Sequence, residues 1–318
     1  MSRWNRCKGL VSKRACPPFA SNRRCTARIH SVATYAWLRR ARRRSSSVGI
    51  VSRRHEHFGS DILPAVISYA LAAWCHAELG AFAEGRALGE EGLRLAEVMA
   101  HPASLMLASW GIGLLTLRQG DLPRALPLLE QATGICQEAD LPIYFSKMAM
   151  ALGTAYTLAG RIADAVPLLT QAVEQSAAAE RAVDQVLCCL SLGDAQLLAG
   201  HLEEAHACAE RALGLARERQ ERSNEAYALY LLGDIAAQRE PPEAEQAEAH
   251  YRQALALAEE LGMRPLQAHC HLDLGALYAQ GGKVDRATHA LSTAMAMYQA
   301  MDMTLWQPQA EAALARVV

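Results

Sequence analysis

The residues of this chain best suited to chemistry stand at spacings that assemble no familiar reactive set. Eleven histidines and nine cysteines invite a search for metal ligands. His201 and His206 lie five apart and His269 and His271 two apart, whereas two ligands on one helical face need three or four. His55 and His57 flank Glu56 and could hold a metal only weakly. Cys7, Cys16 and Cys25 fall nine apart without a CxxC pair, and the adjacent Cys188 and Cys189 would face different sides of a helix. Small apolar core cysteines in a reducing compartment fit that pattern. A GxxxxGK[ST] phosphate loop is missing, because Gly281-Gly282-Lys283 runs into Val284. Gly111-x-Gly113 sits in a helical pattern rather than after a strand, and neither GxSxG nor HExxH occurs. Glu90-Glu91, Glu203-Glu204 and Glu259-Glu260 have Arg211, Arg217, Arg219 and Arg222 for company, which suits solvated helix faces better than paired-carboxylate catalysis. No catalytic residues, metal or cofactor are expected.

What must position these side chains is a repeating element. Gly113, Gly153, Gly193 and Gly233 stand forty residues apart, and Gly80, Gly120, Gly160 and Gly200 keep the same step. Alanine pairs seven apart run in phase: Ala125/Ala132, Ala165/Ala172, Ala205/Ala212, Ala247/Ala254 and Ala287/Ala294. Seven residues is two helical turns, so each pair marks one stripe that lets a second helix approach closely. Leu129, Leu169, Leu291 and Tyr251 follow four residues after the first alanine and fill the space beside it. The glycines at 80, 120, 160 and 200 end one helix and permit a tight return. A fixed period of this length signals stacked units that bury apolar surface only against neighbours.

Charge divides the chain in two. Residues 1–54 hold fifteen Lys or Arg and no acid, leaving 17 basic against 33 acidic residues in the remainder. Residues 1–57 lack hydrophobic periodicity and are expected to be a disordered basic leader. Its Arg- and Ser-rich, acid-free composition fits a transit peptide, a nucleic-acid-binding arm with Trp4, Tyr35 and Trp37, or an upstream extension outside the native protein. Residues 58–318 are the expected repeat domain. Apolar runs such as Ala65–Cys75, interrupted by Ser68 and Tyr69, are too short to cross a bilayer.

The repeat resembles the tetratricopeptide repeat. Leu-Gly stands at Leu152-Gly153, Leu192-Gly193, Leu232-Gly233 and Leu274-Gly275, with Ile112-Gly113 a near match, and Tyr156 and Tyr278 follow three later. The next small residue, Ala, comes twelve after the glycine in four units and fourteen in the fifth, where Pro241-Pro242 lengthens the turn. Ala73 and Gly85 mark a degenerate first unit. The family's early tryptophan and closing proline are absent. The resemblance implies an all-α solenoid of about six antiparallel helix pairs over residues 61–302, with Thr304–Val318 as a C-terminal capping helix. A narrower resemblance, on Glu260–Leu272, Met297–Met303 and Trp306, is to the repeat tail of bacterial signalling proteins that join a class III nucleotide cyclase to a P-loop ATPase.

In tetratricopeptide arrays the first helix of each unit lines the concave face. Counting from each glycine places Trp74, Trp110, Arg118, Lys147, Met150, Asp194, Tyr227, Tyr230, Asp234 and His269 there, with packing between units the other reading for Trp110 and Met150. Aromatics beside a few charges suit a peptide or protein segment. The lysine/asparagine clamp that some members use for a carboxylate is not visible. The expected function is therefore a non-catalytic scaffold or regulatory module of a bacterial, cytoplasmic signalling protein, its partner a peptide, a protein or neighbouring domains of a larger chain. The alternative is a fragment or relative of a cyclase or ATPase that lacks the catalytic domains. Membrane and nucleic acid are not expected partners.

Overall fold

The computed structural model describes residues 62–178 and 182–317. The basic leader, 1–57, lies outside the described residues. Thirteen helices stand among the described residues, six antiparallel pairs and a short last helix. The pairs are α1 (Pro64–Glu78) with α2 (Phe82–Met99), α3 (Pro102–Gln119) with α4 (Leu122–Glu138), and α5 (Pro142–Leu158) with α6 (Ile162–Ala178). They continue as α7 (Ala182–Leu198) with α8 (Leu202–Glu218), α9 (Arg222–Gln238) with α10 (Ala244–Leu261), and α11 (Arg264–Gln280) with α12 (Val284–Ala300).

Helix starts follow from local chemistry. Prolines open α1, α3, α5 and α11, where a missing N–H costs nothing. Asp121 caps α4 by accepting from the Arg124 amide at 3.3 Å. The returns at Gly80, Gly120, Gly160 and Gly200 take φ values of +70° to +88°, as a helix-terminating left-handed residue must. Between α9 and α10 the two extra residues at Pro241-Pro242 widen the turn, as the slipped spacing predicts.

The alanine stripe is the packing seam. All ten paired alanines are buried. Leu129, Leu169 and Leu291 press against Gly113, Gly153 and Gly275, so closely that a Cβ on Gly153 would stand 2.5 Å from Leu169 Cγ. Tyr251 fills the same seat against Gly233. One unit departs from the pattern: Ala209 leaves the seat opposite Gly193 vacant, and Leu231 of the next unit reaches over it. In α2, Gly85 and Gly92 replace the alanines and lie against Leu115 and Tyr69.

The odd-numbered helices form the inner layer. Each contacts its odd neighbours, and their buried residues run around the whole circumference, as in α3 from Ala103 to Gln119. The even-numbered helices form the outer layer with one buried stripe each; α8 buries Ala205, Ala209, Ala212 and Ala216 and exposes Glu203 and Glu204.

The array curls until its ends meet. α11 contacts α1. The Gln119 side-chain amide donates to the Asp302 carbonyl at 3.3 Å. Met301 and Trp306 pack where side chains on Gly80 and Gly120 would otherwise stand. The last helix, α13 (Gln307–Ala315), is shorter than Thr304–Val318. Pro308 has no N–H to donate to an earlier turn, which suits it to the first turn of a helix, so α13 starts at Gln307 and Thr304–Trp306 form a turn.

Candidate functional site

Closure gives the inner layer a lumen, and the lumen holds a cavity of about 310 Å³. It is lined by odd-numbered helices and Trp306 alone. Eight of the ten residues expected on the concave face line it: Trp74, Arg118, Met150, Asp194, Tyr227, Tyr230, Asp234 and His269. Two do not. Trp110 is fully buried beneath Trp74, their rings meeting edge to face at 5.7 Å, so it serves packing between units. Lys147 lies behind it, its ammonium 5.1 Å from the Trp110 ring centroid and 4.0 Å from Asp184 Oδ1.

A polar bridge crosses the lumen at one side of the cavity. Glu78 on α1 accepts from Arg118 Nη2 on α3 at 2.9 Å, from Trp74 Nε1 at 3.0 Å and from Tyr227 Oη on α9 at 2.6 Å. The Arg118 guanidinium also rests over the Tyr227 ring, 4.6 Å from its centroid. Burial disfavours the Arg118 charge, but the Glu78 carboxylate more than offsets this and holds the guanidinium protonated.

Three more carboxylates, Asp194 and Asp234 in the cavity wall and Asp273 beside Asp234, have only neutral donors or none. Asp234 accepts from Tyr251 Oη at 2.7 Å, and Asp273 accepts from Tyr230 Oη. Asp194 projects from α7 into the cavity wall. Burial pushes Asp194 up to about 7, opposed by Arg118, and Asp273 to about 6. Asp234 is raised well above the carboxylate range by burial and by Asp273. His269 packs edge to face on Trp306 at 4.8 Å, with Nδ1 2.8 Å from Tyr298 Oη. Burial, with Arg118, lowers it to about 3, so the ring is neutral.

Sequence reasoning passed over several lining residues. Glu78 stands five after Ala73, the same register that selected Arg118 five after Gly113. Thr154 follows Gly153 as Asp194 follows Gly193, and it donates to Ser191 Oγ at 2.8 Å. Those residues were legible in the repeat register. Trp306 lies outside the repeats, and only closure brings it to the wall.

No protein-family model matches the chain, and no curated protein matches it. Solved structures do. NprR in complex with its cognate peptide NprX is 17% identical, with 76% of this chain and 70% of that chain covered and a TM-score of 0.58. A Rap protein complexed with Competence and Sporulation Factor is 16% identical over 74% of this chain and 77% of that one, at a TM-score of 0.55. The fold is a tetratricopeptide-like solenoid. A signal transduction ATPase with a tetratricopeptide repeat sensor, from Pyrococcus horikoshii, is 17% identical over 78% of this chain but 40% of that one, at 0.50. At these identities the likeness is one of fold. Among the described residues of the solenoid no helix is long and apolar enough to cross a membrane, and no three His, Cys, Asp or Glu stand close enough to hold a metal ion.

Proposed function

We propose that this solenoid is a non-catalytic interaction module that takes a peptide or protein segment into its lumen, as a regulatory part of a bacterial cytoplasmic signalling protein. The observation that carries the reading is the cavity itself. Six inner helices and Trp306 converge on it, bringing two tryptophans, two tyrosines, an arginine paired with Glu78, and two carboxylates without a cationic partner, a combination of apolar walls and few polar groups that suits recognition. The fold neighbours NprR and Rap hold a peptide or factor in their structures, and a sensor of this type sits in a larger ATPase, which supports the same reading for this chain. The narrower resemblance to a cyclase–ATPase tail supplies the bacterial and signalling context. None of the groups in the wall forms a nucleophile–base pair or a phosphate loop.

A peptide library displayed against the full chain tests this. At least one segment should bind, and binding should be lost in Leu198→Trp, which places bulk at an exposed lining position, 59% accessible. No binding, or binding indifferent to Leu198→Trp, rejects the lumen as the site. Calorimetric titration with ATP separates the catalytic alternative: micromolar ATP binding would overturn the scaffold reading.

A further inference from the structure

Charges around the lumen do not balance. Among the described residues the one cation in the cavity wall, Arg118, is engaged with Glu78. Lys147 is committed behind Trp110 near Asp184, and His269 is neutral. That leaves Asp194 and Asp234 in the cavity wall, and Asp273 beside Asp234, without a cationic partner. A carboxylate offers about four lone-pair sites, and Asp234 and Asp273 use one each on a tyrosine hydroxyl. Asp194 makes no hydrogen bond or ion pair with any described residue; only the more distant Arg118 acts on it. Carboxylates held among Leu187, Leu190 and aromatic rings without a counter-charge are costly, and protons take up part of that cost.

Three further facts select the occupant. The carboxylates are too dispersed to close on a metal ion, since no three donors stand together among the described residues. The cavity volume, about 310 Å³, is at the small end of ligand pockets, enough for one long side chain rather than a domain. Trp74 and Trp306 border it, and a planar, weakly hydrated guanidinium both stacks on aromatic rings and forks to carboxylates.

We infer that the cavity is a seat for an arginine side chain carried on an incoming peptide, with Asp194 and Asp234 as its counter-charges and the Leu187–Leu190 wall receiving its stem. This rests on the peptide-binding reading above and adds the residue that the lumen selects. It also assigns Arg118 a role within the frame: locked on Glu78, it bridges helices and leaves Asp194 and Asp234 without a cation of their own.

The test titrates the full chain, by calorimetry, with acetyl-Leu-Arg-Leu-amide and with its citrulline and glutamate counterparts. Phenylguanidine and phenylurea form a parallel pair that carries no peptide. The arginine peptide should bind at least tenfold more tightly than the citrulline peptide. In Asp194→Asn and Asp234→Asn that preference should shrink to about twofold. Equal binding of the arginine and citrulline peptides, or tighter binding of the glutamate peptide, overturns the inference while leaving peptide binding intact. Preference for phenylguanidine over phenylurea, with every peptide failing, keeps the cation seat and rejects the peptide reading. Failure of both sets overturns both. The comparison between ligands on the unmodified chain needs no variant to fold.

Discussion

Tyr227 donates a 2.6 Å hydrogen bond to Glu78 across 149 residues of sequence, from the fifth helix pair to the first. Neither helix is the other's neighbour in the chain, so the bond exists only because the array has curled into a closed turn. Glu78 is also the acceptor for Arg118 and Trp74. A carboxylate with three donors from three helices makes this bridge a joint of the ring.

Weakening the joint should therefore register in stability. Tyr227→Phe removes one neutral-to-charged hydrogen bond and should cost about 1–2 kcal/mol. Glu78→Ala should cost more, about 2–4 kcal/mol, because it leaves the partly buried Arg118 guanidinium unpaired. Urea unfolding followed by far-UV circular dichroism measures both. An order reversed between the two variants would show that Arg118 finds another partner and that the bridge is not the joint.

The seam between the chain ends can be isolated with two glycines of similar conformation. Gly120 and Gly160 both adopt left-handed φ values, +88° and +73°. A Cβ on Gly120 would meet Leu305 Cβ and Trp306 Cζ3 at 2.7 Å each, whereas one on Gly160 meets nothing within 4 Å. Replacing each by Ala brings the same left-handed backbone cost, about 1–2 kcal/mol, so the excess in Gly120→Ala reports the seam. Gly120→Ala should melt several degrees below Gly160→Ala and should shift the tryptophan emission. Equal melting temperatures would mean that the ends do not meet in solution.

Overpacking the alanine stripe tests the register of the helix pairs. Ala165 and Ala205 are fully buried where α6 and α8 meet their partners. Ala165→Leu or Ala205→Leu should cost about 1–3 kcal/mol by forcing the helices apart. Unchanged melting temperatures for both would place the stripe elsewhere.

The acidic wall predicts a pH dependence with a definite sign. Burial raises Asp194 to about 7, above its unfolded value near 4. Between those values the folded state holds a proton that the unfolded state has lost, so stability falls as pH rises through this window. Asn at 194 cannot titrate. The melting temperature of Asp194→Asn relative to the parent should therefore increase from pH 5 to pH 8. Taking the difference between the two proteins cancels the opposite trend of His269, which burial keeps neutral. A difference that stays constant with pH would show that Asp194 titrates normally.

Much of the site was readable as register. Positions one and five residues past each repeat glycine, or past Ala73 in the first unit, supply Trp74, Thr154, Asp194, Asp234, Glu78 and Arg118, because a residue's place on a helix fixes which layer it faces. The register misplaced Trp110 and Lys147. Both stand on the inner helices, but the close approach of α1 covers the first, and the second folds back over it. A second periodic feature escaped notice for a chemical reason. Ala100, Asp140, Gln220 and Asp302 all end outer helices with positive φ, yet only Gly262 in that series is the residue type that signals such a turn.

The sequence by itself determined the unit: helix lengths, returns, the alanine stripe and the glycine–leucine contacts all repeat at short range, where spacing along a helix is spacing in space. Closure belongs to the tertiary structure. A small rotation per unit is invisible in any one repeat, but over six it sums until Met301 and Trp306 reach Gly80 and Gly120. Only then do Glu78, Arg118 and Tyr227 meet, and only then does an inner face become a cavity with one wall left acidic.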